Sequence, residues 1–301
     1  MTPQPSNSPS PSASAAHDRA VDKQCKVSTF LDRQPNAEAS SCPWHLVGLT
    51  SGALIERAAL AWIVADAIMK ERCSHVGAYS LWRKAALDGI TLTGDDAESV
   101  RPWIKPVFGL PPKGTEAKDH VPGYVGEWLW YLATLEEHID GHELALIDPP
   151  SWNVTEGGGD GFAVHRIPNG WDTSLIFKLW EIKKYTGAGS VGGTINKAAT
   201  QLKEHGAEYL AKISWAHKDH GGDIGQLMSE LTELWTRADQ RAGAGVSVAT
   251  NTSTSSGVSF AQVGAHLSRF SGSGRLRGLI LAIEDFTAFA EQVKGYVWSA
   301  L

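Results

Sequence analysis

The spacing of apolar residues predicts helices and strands along most of the chain. Between Thr50 and Arg72, apolar residues recur every three to four positions, which is the period of an amphipathic helix. A second, shorter helix is predicted over Gly77–Leu87. The stretch from Arg101 to Pro122 contains five prolines and is predicted to be largely irregular, because proline lacks an amide hydrogen and disrupts helices.

The remainder of the chain alternates helical and strand patterns. The segments with helical periodicity are Gly123–His138, Thr194–Ala216, Ile224–Gln240 and Phe286–Leu301. The segments with strand character are Leu144–Asp148, Asp160–Ile167, Leu175–Tyr185, Gly245–Thr250 and Leu276–Ile283. This order predicts an α/β fold in which helices flank a mixed central sheet, with a helical region on its N-terminal side.

Composition divides the chain into three predicted segments. Residues 1–40 are rich in Ser, Pro and Ala and hold few large apolar residues, so they are predicted to be a disordered tail. Residues 41–120 are predicted to form the helical region and a Pro-rich connector. Residues 121–301 are predicted to form the main α/β domain.

Charge and cysteine content narrow the possible functions. The net charge of −6 argues against a protein that coats nucleic acid through a uniformly basic surface. The three cysteines, an odd number without a CxxC pair, predict reduced thiols and a cytoplasmic protein. The most apolar helical stretch, Ala53–Met69, contains three charged residues and is therefore not expected to span a membrane.

The segment Leu175–Tyr185 combines a buried-strand pattern with charges near its end. Alternate residues of a strand share a face, so Glu181 and Lys183 point the same way, roughly 7 Å apart, and continue an apolar row. Burying a carboxylate or an ammonium without a partner is costly. The pattern therefore indicates that these two charges serve a function.

An aspartate with glycines on both sides opens the preceding strand, in Gly157-Gly-Gly-Asp-Gly-Phe162. On adjacent strands, Asp160 and Glu181 would offer two hard oxygen ligands to Mg²⁺, with Mn²⁺ as the alternative. A bound metal activates water and neutralises charge during phosphodiester hydrolysis. Lys183, beside such a metal, could orient the water and stabilise the developing negative charge.

Asp160, followed after twenty residues by Glu181-Ile182-Lys183, resembles the D…(D/E)xK signature of the PD-(D/E)xK nuclease superfamily. The resemblance covers about a third of the chain. It implies a restriction-endonuclease-like α/β fold and a catalytic centre of Asp160, Glu181 and Lys183. It also implies that the main-chain carbonyl of Ile182 is a further metal ligand.

The superfamily often adds an acidic residue from the preceding helix, and Glu127 occupies that position. Its helical neighbours Tyr124, Trp130 and Tyr131 give it an apolar face, as expected of a carboxylate aimed at a metal. The sequence is also similar to the small nuclease subunit of Hachiman-type anti-phage defence systems. These resemblances imply nuclease activity, with DNA favoured over RNA, in defence or restriction. Because the chain has no motor motif, a separately encoded helicase or ATPase partner is also expected.

Residues 178–203 contain five lysines and one acid, Glu181, which is the imbalance expected where a phosphate backbone docks. The candidates for nucleic-acid contacts are Lys184, Lys197, Lys203 and Gln201. In some members of the superfamily a Gln in this region assists the site. Here the accompanying Tyr209 is eight residues beyond Gln201, which is not the usual spacing.

Other interpretations stay open. Gly187–Gly192 matches GxGxxG between a strand and a helix, which suits a dinucleotide, although the strand before it ends in charges. The domain could instead be a catalytically inactive binding subunit. Glu181 and Lys183 could also pair with other charges at a solvated strand end. Asp148, which precedes two prolines, is the competing candidate for the metal-binding aspartate.

Overall fold

The computed structural model describes residues 10–36, 41–73, 77–111, 120–152, 159–170, 172–187, 189–254, 260–272 and 274–301. Its α-helices are α1 (Ala13–Asp22), α2 (Leu54–Arg72), α3 (Gly77–Asp88), α4 (Gly94–Phe108), α5 (Val121–Leu135), α6 (Val191–Ala216), α7 (Gly222–Thr236), α8 (Val263–His266) and α9 (Phe286–Trp298). Its strands are β1 (Leu31–Pro35), β2 (Trp44–Leu49), β3 (Glu143–Ile147), β4 (Gly161–Asn169), β5 (Asp172–Tyr185), β6 (Ala242–Thr250) and β7 (Leu276–Ala282).

These elements group into two units. The first comprises Met1–Phe30, Thr50–Lys118 and Ala288–Leu301, and holds α1 to α4 and most of α9. The second comprises Leu31–Leu49 and Asp119–Thr287, and holds every described strand and α5 to α8. These two units differ from the three segments predicted from composition. Residues 31–49 add β1 and β2 to the sheet, and most of the last helix, α9, belongs to the first unit.

The helical first unit is organised around stacked aromatic rings. Trp62 of α2 stacks on Trp82 of α3 with ring centroids 5.6 Å apart, and Tyr296 of α9 meets Trp62 edge-on. The indole nitrogen of Trp82 donates a hydrogen bond to the carbonyl of Val297 at 2.9 Å. Segments from both ends of the chain therefore share one core, which accounts for several of the twelve tryptophans.

The segment predicted to be disordered, residues 1–40, contains α1 and β1. Ser12 caps α1, since its hydroxyl accepts a hydrogen bond from the amide of Ala15 at 3.2 Å. Ala13, Ala16 and Ala20 are buried along one side of the helix. The prediction was wrong for residues 13–35 because small alanine side chains at helical spacing are enough for close packing. Residues 1–9 and 37–40 lie outside the described part.

The Pro-rich stretch between Arg101 and Pro122 is partly helical, which corrects a second prediction. Helix α4 continues through Pro102 and Pro106, and α5 has Pro122 in its first turn, where the amide has no intrahelical partner. The lost hydrogen bonds in α4 are offset by burial of an apolar face, made of Val100, Ile104, Val107 and Phe108.

The seven strands form one mixed sheet in the order β1-β2-β7-β6-β5-β4-β3. The central strands β2, β7, β6 and β5 are parallel to their neighbours within this group. Strand β1 at one edge and strands β4 and β3 at the other pair antiparallel. This architecture confirms the predicted α/β class with a mixed sheet.

Helices cover both faces of the sheet. On one face, Trp130 of α5 packs on Trp180 of β5 with ring centroids 5.6 Å apart. On the other face, Phe177 and Leu179 of β5 share a core with buried residues of α6 and α7. Alternate residues of β5 therefore contact different helices, as the strand period requires.

Two predictions about the whole chain can be compared with the described residues. Cys25, Cys42 and Cys73 are free thiols, as expected. Within the described ranges, no helix has both the length and the apolar character needed to cross a membrane.

Candidate active site

The register of the β4–β5 hairpin brings Asp160 beside Glu181. Gly161, the first residue of β4, pairs with Trp180. Directly opposite residues of antiparallel strands share a face, so Asp160 and Glu181 lie together on the face that carries α6. The aspartate and glutamate predicted from sequence are therefore neighbours in the fold.

The Glu181 side chain is fully buried, with 0% exposure. Its Oε1 forms an ion pair with Nζ of Lys183, and within the described residues neither oxygen meets the geometry of a hydrogen bond. Burial raises the pKa of Glu181 to about 8, and the nearby Asp160 carboxylate adds to the shift, while Lys183 opposes it. Lys183 is thus the ion-pair partner of Oε1, while Oε2 has no hydrogen-bond partner among the described residues, which is unusual for a buried carboxylate.

Lys183 joins the two acids. Its Nζ lies 3.3 Å from Oδ2 of Asp160, and the same oxygen accepts a hydrogen bond from the amide of Ile182 at 2.8 Å. Burial lowers the pKa of Lys183, but the charges of Asp160 and Glu181 outweigh burial, so the net shift is upward. The ammonium is therefore cationic at neutral pH.

A third carboxyl group, that of Glu127 on α5, belongs to the same cluster. Burial raises the pKa of Glu127 to about 8, and the charges of Asp160 and Glu181 raise it further while Lys183 lowers it. The four residues predicted as catalytic thus interact with one another. We call Glu127, Asp160, Glu181 and Lys183 the carboxylate cluster.

A side chain at either of the glycines beside Asp160 would meet a neighbouring side chain. A Cβ atom on Gly161 would lie 2.5 Å from the ring of Trp130, and one on Gly159 would lie 2.5 Å from Cδ1 of Leu179. The side chains of Trp130 and Leu179 therefore approach the backbone closely on both sides of Asp160, which holds Asp160 against the sheet. Glycine at both positions avoids these contacts.

Asp148, the competing aspartate, has a different partner. It follows β3, and its carboxylate lies 2.9 and 3.1 Å from Nε2 of His217 at the end of α6. Burial raises the pKa of Asp148, and its hydrogen bond with His217 opposes this. The geometry therefore favours Asp160 as the residue that accompanies Glu181.

The donors of the carboxylate cluster suit a hard divalent cation, since they are carboxylate oxygens. The full burial of Glu181, whose Oε2 has no hydrogen-bond partner among the described residues, is the observation that fits such an ion. Among the described residues, however, no three His, Cys, Asp or Glu side chains are already arranged around one point. Ile182 contributes its amide to Asp160, and its carbonyl as a metal ligand stays a prediction.

A polar groove of about 660 Å³ follows the exposed side of α6. Its described lining is Asn196, Lys197, Thr200, Gln201, Glu204, His205, Glu208, Tyr209 and Lys212. Nε2 of Gln201 donates a hydrogen bond to the hydroxyl of Tyr209 at 2.9 Å, although the sequence spacing argued against this pair. A Cβ atom on Gly159 would lie 3.6 Å from Cβ of Tyr209, so the groove lies next to Asp160 of the carboxylate cluster.

The five lysines between residues 178 and 203 lie on different elements and faces. Lys197 is exposed and lines the groove, whereas Lys203 is exposed but is not part of the described lining. Lys178 and Lys184 are an even number of residues apart on β5 and an odd number from Lys183, so they point to the opposite face. The five lysines therefore do not all lie on one face of the sheet, and nucleic-acid contacts by Lys184, Lys197, Lys203 and Gln201 stay predictions.

The loop Gly187–Gly192 lies between β5 and α6, as the GxGxxG pattern requires. Gly187 and Gly189 have φ angles of 121° and 87°, which favour glycine. The hydroxyl of Ser190 accepts a hydrogen bond from the amide of Gly193 at 3.0 Å and caps α6. These glycines therefore have a structural reason in the turn itself.

Comparison of the chain with protein-family models and with curated proteins finds no match. The functional argument accordingly rests on the geometry above.

Proposed function

We propose that this chain is a metal-dependent nuclease of the PD-(D/E)xK type. The observation that carries the proposal is the meeting of Asp160 and Glu181 at the ammonium of Lys183, at the end of a buried strand. Both acids contact the same nitrogen, and the longer of the two contacts is 3.3 Å. The two contacting oxygens therefore lie no farther apart than twice that distance. A solvated structural ion pair does not explain a fully buried Glu181.

In this proposal Asp160 and Glu181 hold a Mg²⁺ or Mn²⁺ ion, with Glu127 beside them. When bound, such an ion supplies an activated water and neutralises charge on the phosphate. Lys183 donates hydrogen bonds to a phosphate oxygen or to the attacking water, because its ammonium stays protonated. The amide of Ile182 fixes the orientation of the Asp160 carboxylate.

The groove along α6 is the proposed path of the nucleic-acid strand. Trp215 lies seven residues after Glu208 and three after Lys212, so it continues the same helix face. Its side chain is 70% exposed, and the ammonium of Lys218 lies 4.3 Å from its ring centroid. An exposed indole beside a lysine is suited to stacking an unpaired base next to a phosphate.

Replacing Trp215 by alanine is expected to weaken binding of a single-stranded oligonucleotide about tenfold, because stacking on an aromatic ring contributes roughly 1–3 kcal/mol per base. Trp215→Phe should retain most of the affinity. Fluorescence anisotropy with Ca²⁺ in place of Mg²⁺ measures binding without cleavage. Ile90→Ala, at an exposed apolar residue outside the groove, is the control. Equal affinity of wild type and Trp215→Ala would exclude the stacking role.

The function itself is tested by incubating the protein with plasmid DNA, single-stranded DNA and RNA, each with Mg²⁺ or with EDTA. Metal-dependent cleavage of any of these is expected, with DNA favoured. Binding of NAD without metal-dependent cleavage would support the dinucleotide interpretation of Gly187–Gly192. Binding of nucleic acid without cleavage would support an inactive subunit.

Metal binding can be measured separately from cleavage. Saturating Ca²⁺ is expected to raise the melting temperature of the wild type by about 5 °C, since a ligand that binds only the folded state stabilises it. Glu181→Gln should lose most of this shift, because an amide is a weaker cation ligand. Glu233→Gln, at an exposed acid on α7, should keep it. An equal shift in all three proteins would place the cation elsewhere.

The biological setting stays a prediction from the sequence. The proposed nuclease would serve in anti-phage defence or restriction. A separately encoded helicase or ATPase would then be its partner, and co-purification of the chain with its genomic neighbours would identify it.

A further inference from the structure

A second group of charged residues lies on the opposite face of the sheet from Lys183. It consists of Arg33 on β1, His45 on β2, Arg277 on β7, Lys178 on β5 and His165 on β4, together with Glu137 and His142. We call this group the basic cluster. Lys178 precedes Lys183 by five residues, which separates them by about 16 Å along β5 and turns them to opposite faces.

The basic cluster contains more positive than negative charge. Glu137 is its one acid, and it pairs with both Nη1 of Arg33 and Nη2 of Arg277. Nη2 of Arg277 also lies 3.5 Å from Nδ1 of His45, and Nη2 of Arg33 donates to the carbonyl of Ala133 at 3.4 Å. Two guanidinium groups and the Lys178 ammonium therefore face a single carboxylate.

Lys178 is the residue that the cluster leaves without a counter-charge. Among the described residues, no oxygen lies within hydrogen-bonding or ion-pairing distance of its ammonium. Burial lowers the pKa of Lys178 to about 8, and Arg277 adds to the shift while Glu137 opposes it. An ammonium in such a position is costly unless an anion joins it.

Two histidines of the basic cluster, His142 and His165, also lie near the charge of Lys178. The rings of His142 and His165 are 6.0 Å apart, and His165 is only 9% exposed. Burial lowers the pKa of His165 to about 4, and the charge of Lys178 adds to this. Both histidines can donate a ring N–H in their neutral form. Each neutral imidazole also has one acceptor nitrogen, so the surplus of donors in the cluster comes from its two arginines and its lysine.

We propose that the basic cluster is a binding site for a phosphate group, separate from the carboxylate cluster. Guanidinium groups match the oxygens of a phosphate through paired N–H donors, and lysine adds a point charge. Two negative charges on the phosphate would balance the excess of the cluster. A cation would be repelled by the same residues, and a neutral ligand would leave Lys178 without a counter-charge.

The test uses thermal denaturation with EDTA present and ionic strength held constant with NaCl. Titrated inorganic phosphate is expected to raise the melting temperature of the wild type. Lys178→Met should bind phosphate at least tenfold more weakly, because it removes the unpaired ammonium and keeps the apolar stem. Without phosphate, Lys178→Met should melt at the same or a higher temperature than wild type. Lys70→Met, at an exposed lysine of α2, should respond like the wild type.

Two further variants make the result specific. Glu137→Gln should bind phosphate more tightly than the wild type, since it removes the one competing negative charge. Lys84→Met, at an exposed lysine of α3 outside both clusters, should bind phosphate as the wild type does. An equal phosphate response in the wild type and Lys178→Met would overturn the proposal.

The phosphate could belong to a free nucleotide or to a nucleic-acid strand. A nucleoside monophosphate and an oligonucleotide of the same base are therefore titrated in parallel. Affinity for the monophosphate that depends on Lys178 would identify a nucleotide site. Affinity only for the oligonucleotide, again dependent on Lys178, would identify a backbone contact. If neither affinity depends on Lys178, the proposal is wrong.

Discussion

Lys183→Met is expected to lower metal-dependent cleavage by about 1,000-fold while Ca²⁺ binding persists. Loss of one positioned donor to a developing negative charge typically costs 100- to 1,000-fold in rate. The proposed metal ligands Asp160 and Glu181 remain in this variant, so the cation should still raise the melting temperature. The measurement is single-turnover cleavage of a labelled oligonucleotide, alongside the Ca²⁺ titration.

Asp148→Asn is the matched control for this experiment. Asp148 was the competing metal ligand in the sequence, but it pairs with His217 and not with Lys183. Asp148→Asn should therefore cleave at close to the wild-type rate, whereas Asp160→Asn should be inactive. The asparagine of Asp160→Asn can still accept the hydrogen bond from the amide of Ile182, so this variant should fold. Cleavage lost in Asp148→Asn and kept in Asp160→Asn would overturn the assignment.

The carboxylate cluster could be predicted because its parts are close in sequence. Asp160 and Glu181 belong to one hairpin, whose register follows from two adjacent strands. The alternation of β5 placed Glu181 and Lys183 on one face, and the apolar neighbours of Glu127 indicated its direction. The strand and helix periods gave the shared faces, and the resemblance to the nuclease superfamily pointed to Asp160 and Glu127.

The parts that the sequence did not predict depend on contacts between distant residues. Strand β2 pairs with β7, from the other end of the chain, and neither β1 nor β2 has a long apolar run. The basic cluster requires β1, β2 and β7 in their final order before Arg33 and Arg277 can meet Glu137. Strand order is set by tertiary packing, which a periodic pattern does not contain.

Gly161→Ala is expected to destabilise the protein by about 3 kcal/mol, at the upper end of the cost of overpacking a core. The added Cβ would lie 2.5 Å from Cη2 and Cζ3 of Trp130, which is 0% exposed and packs on Trp180. A rigid ring held on both sides cannot yield, so the start of β4 must move and Asp160 with it. Urea unfolding measures the loss, and cleavage should fall as well.

Gly159→Ala provides the comparison, because it adds the same methyl group on the other side of Asp160. Its Cβ would meet Cδ1 of Leu179, the end of a flexible side chain that can change rotamer. The expected cost is therefore below about 1 kcal/mol. Trp130→Phe removes the ring atoms that Gly161→Ala would contact, so the double variant should lose less than the two single losses added together. Strictly additive losses would show that Trp130 does not set the limit at Gly161.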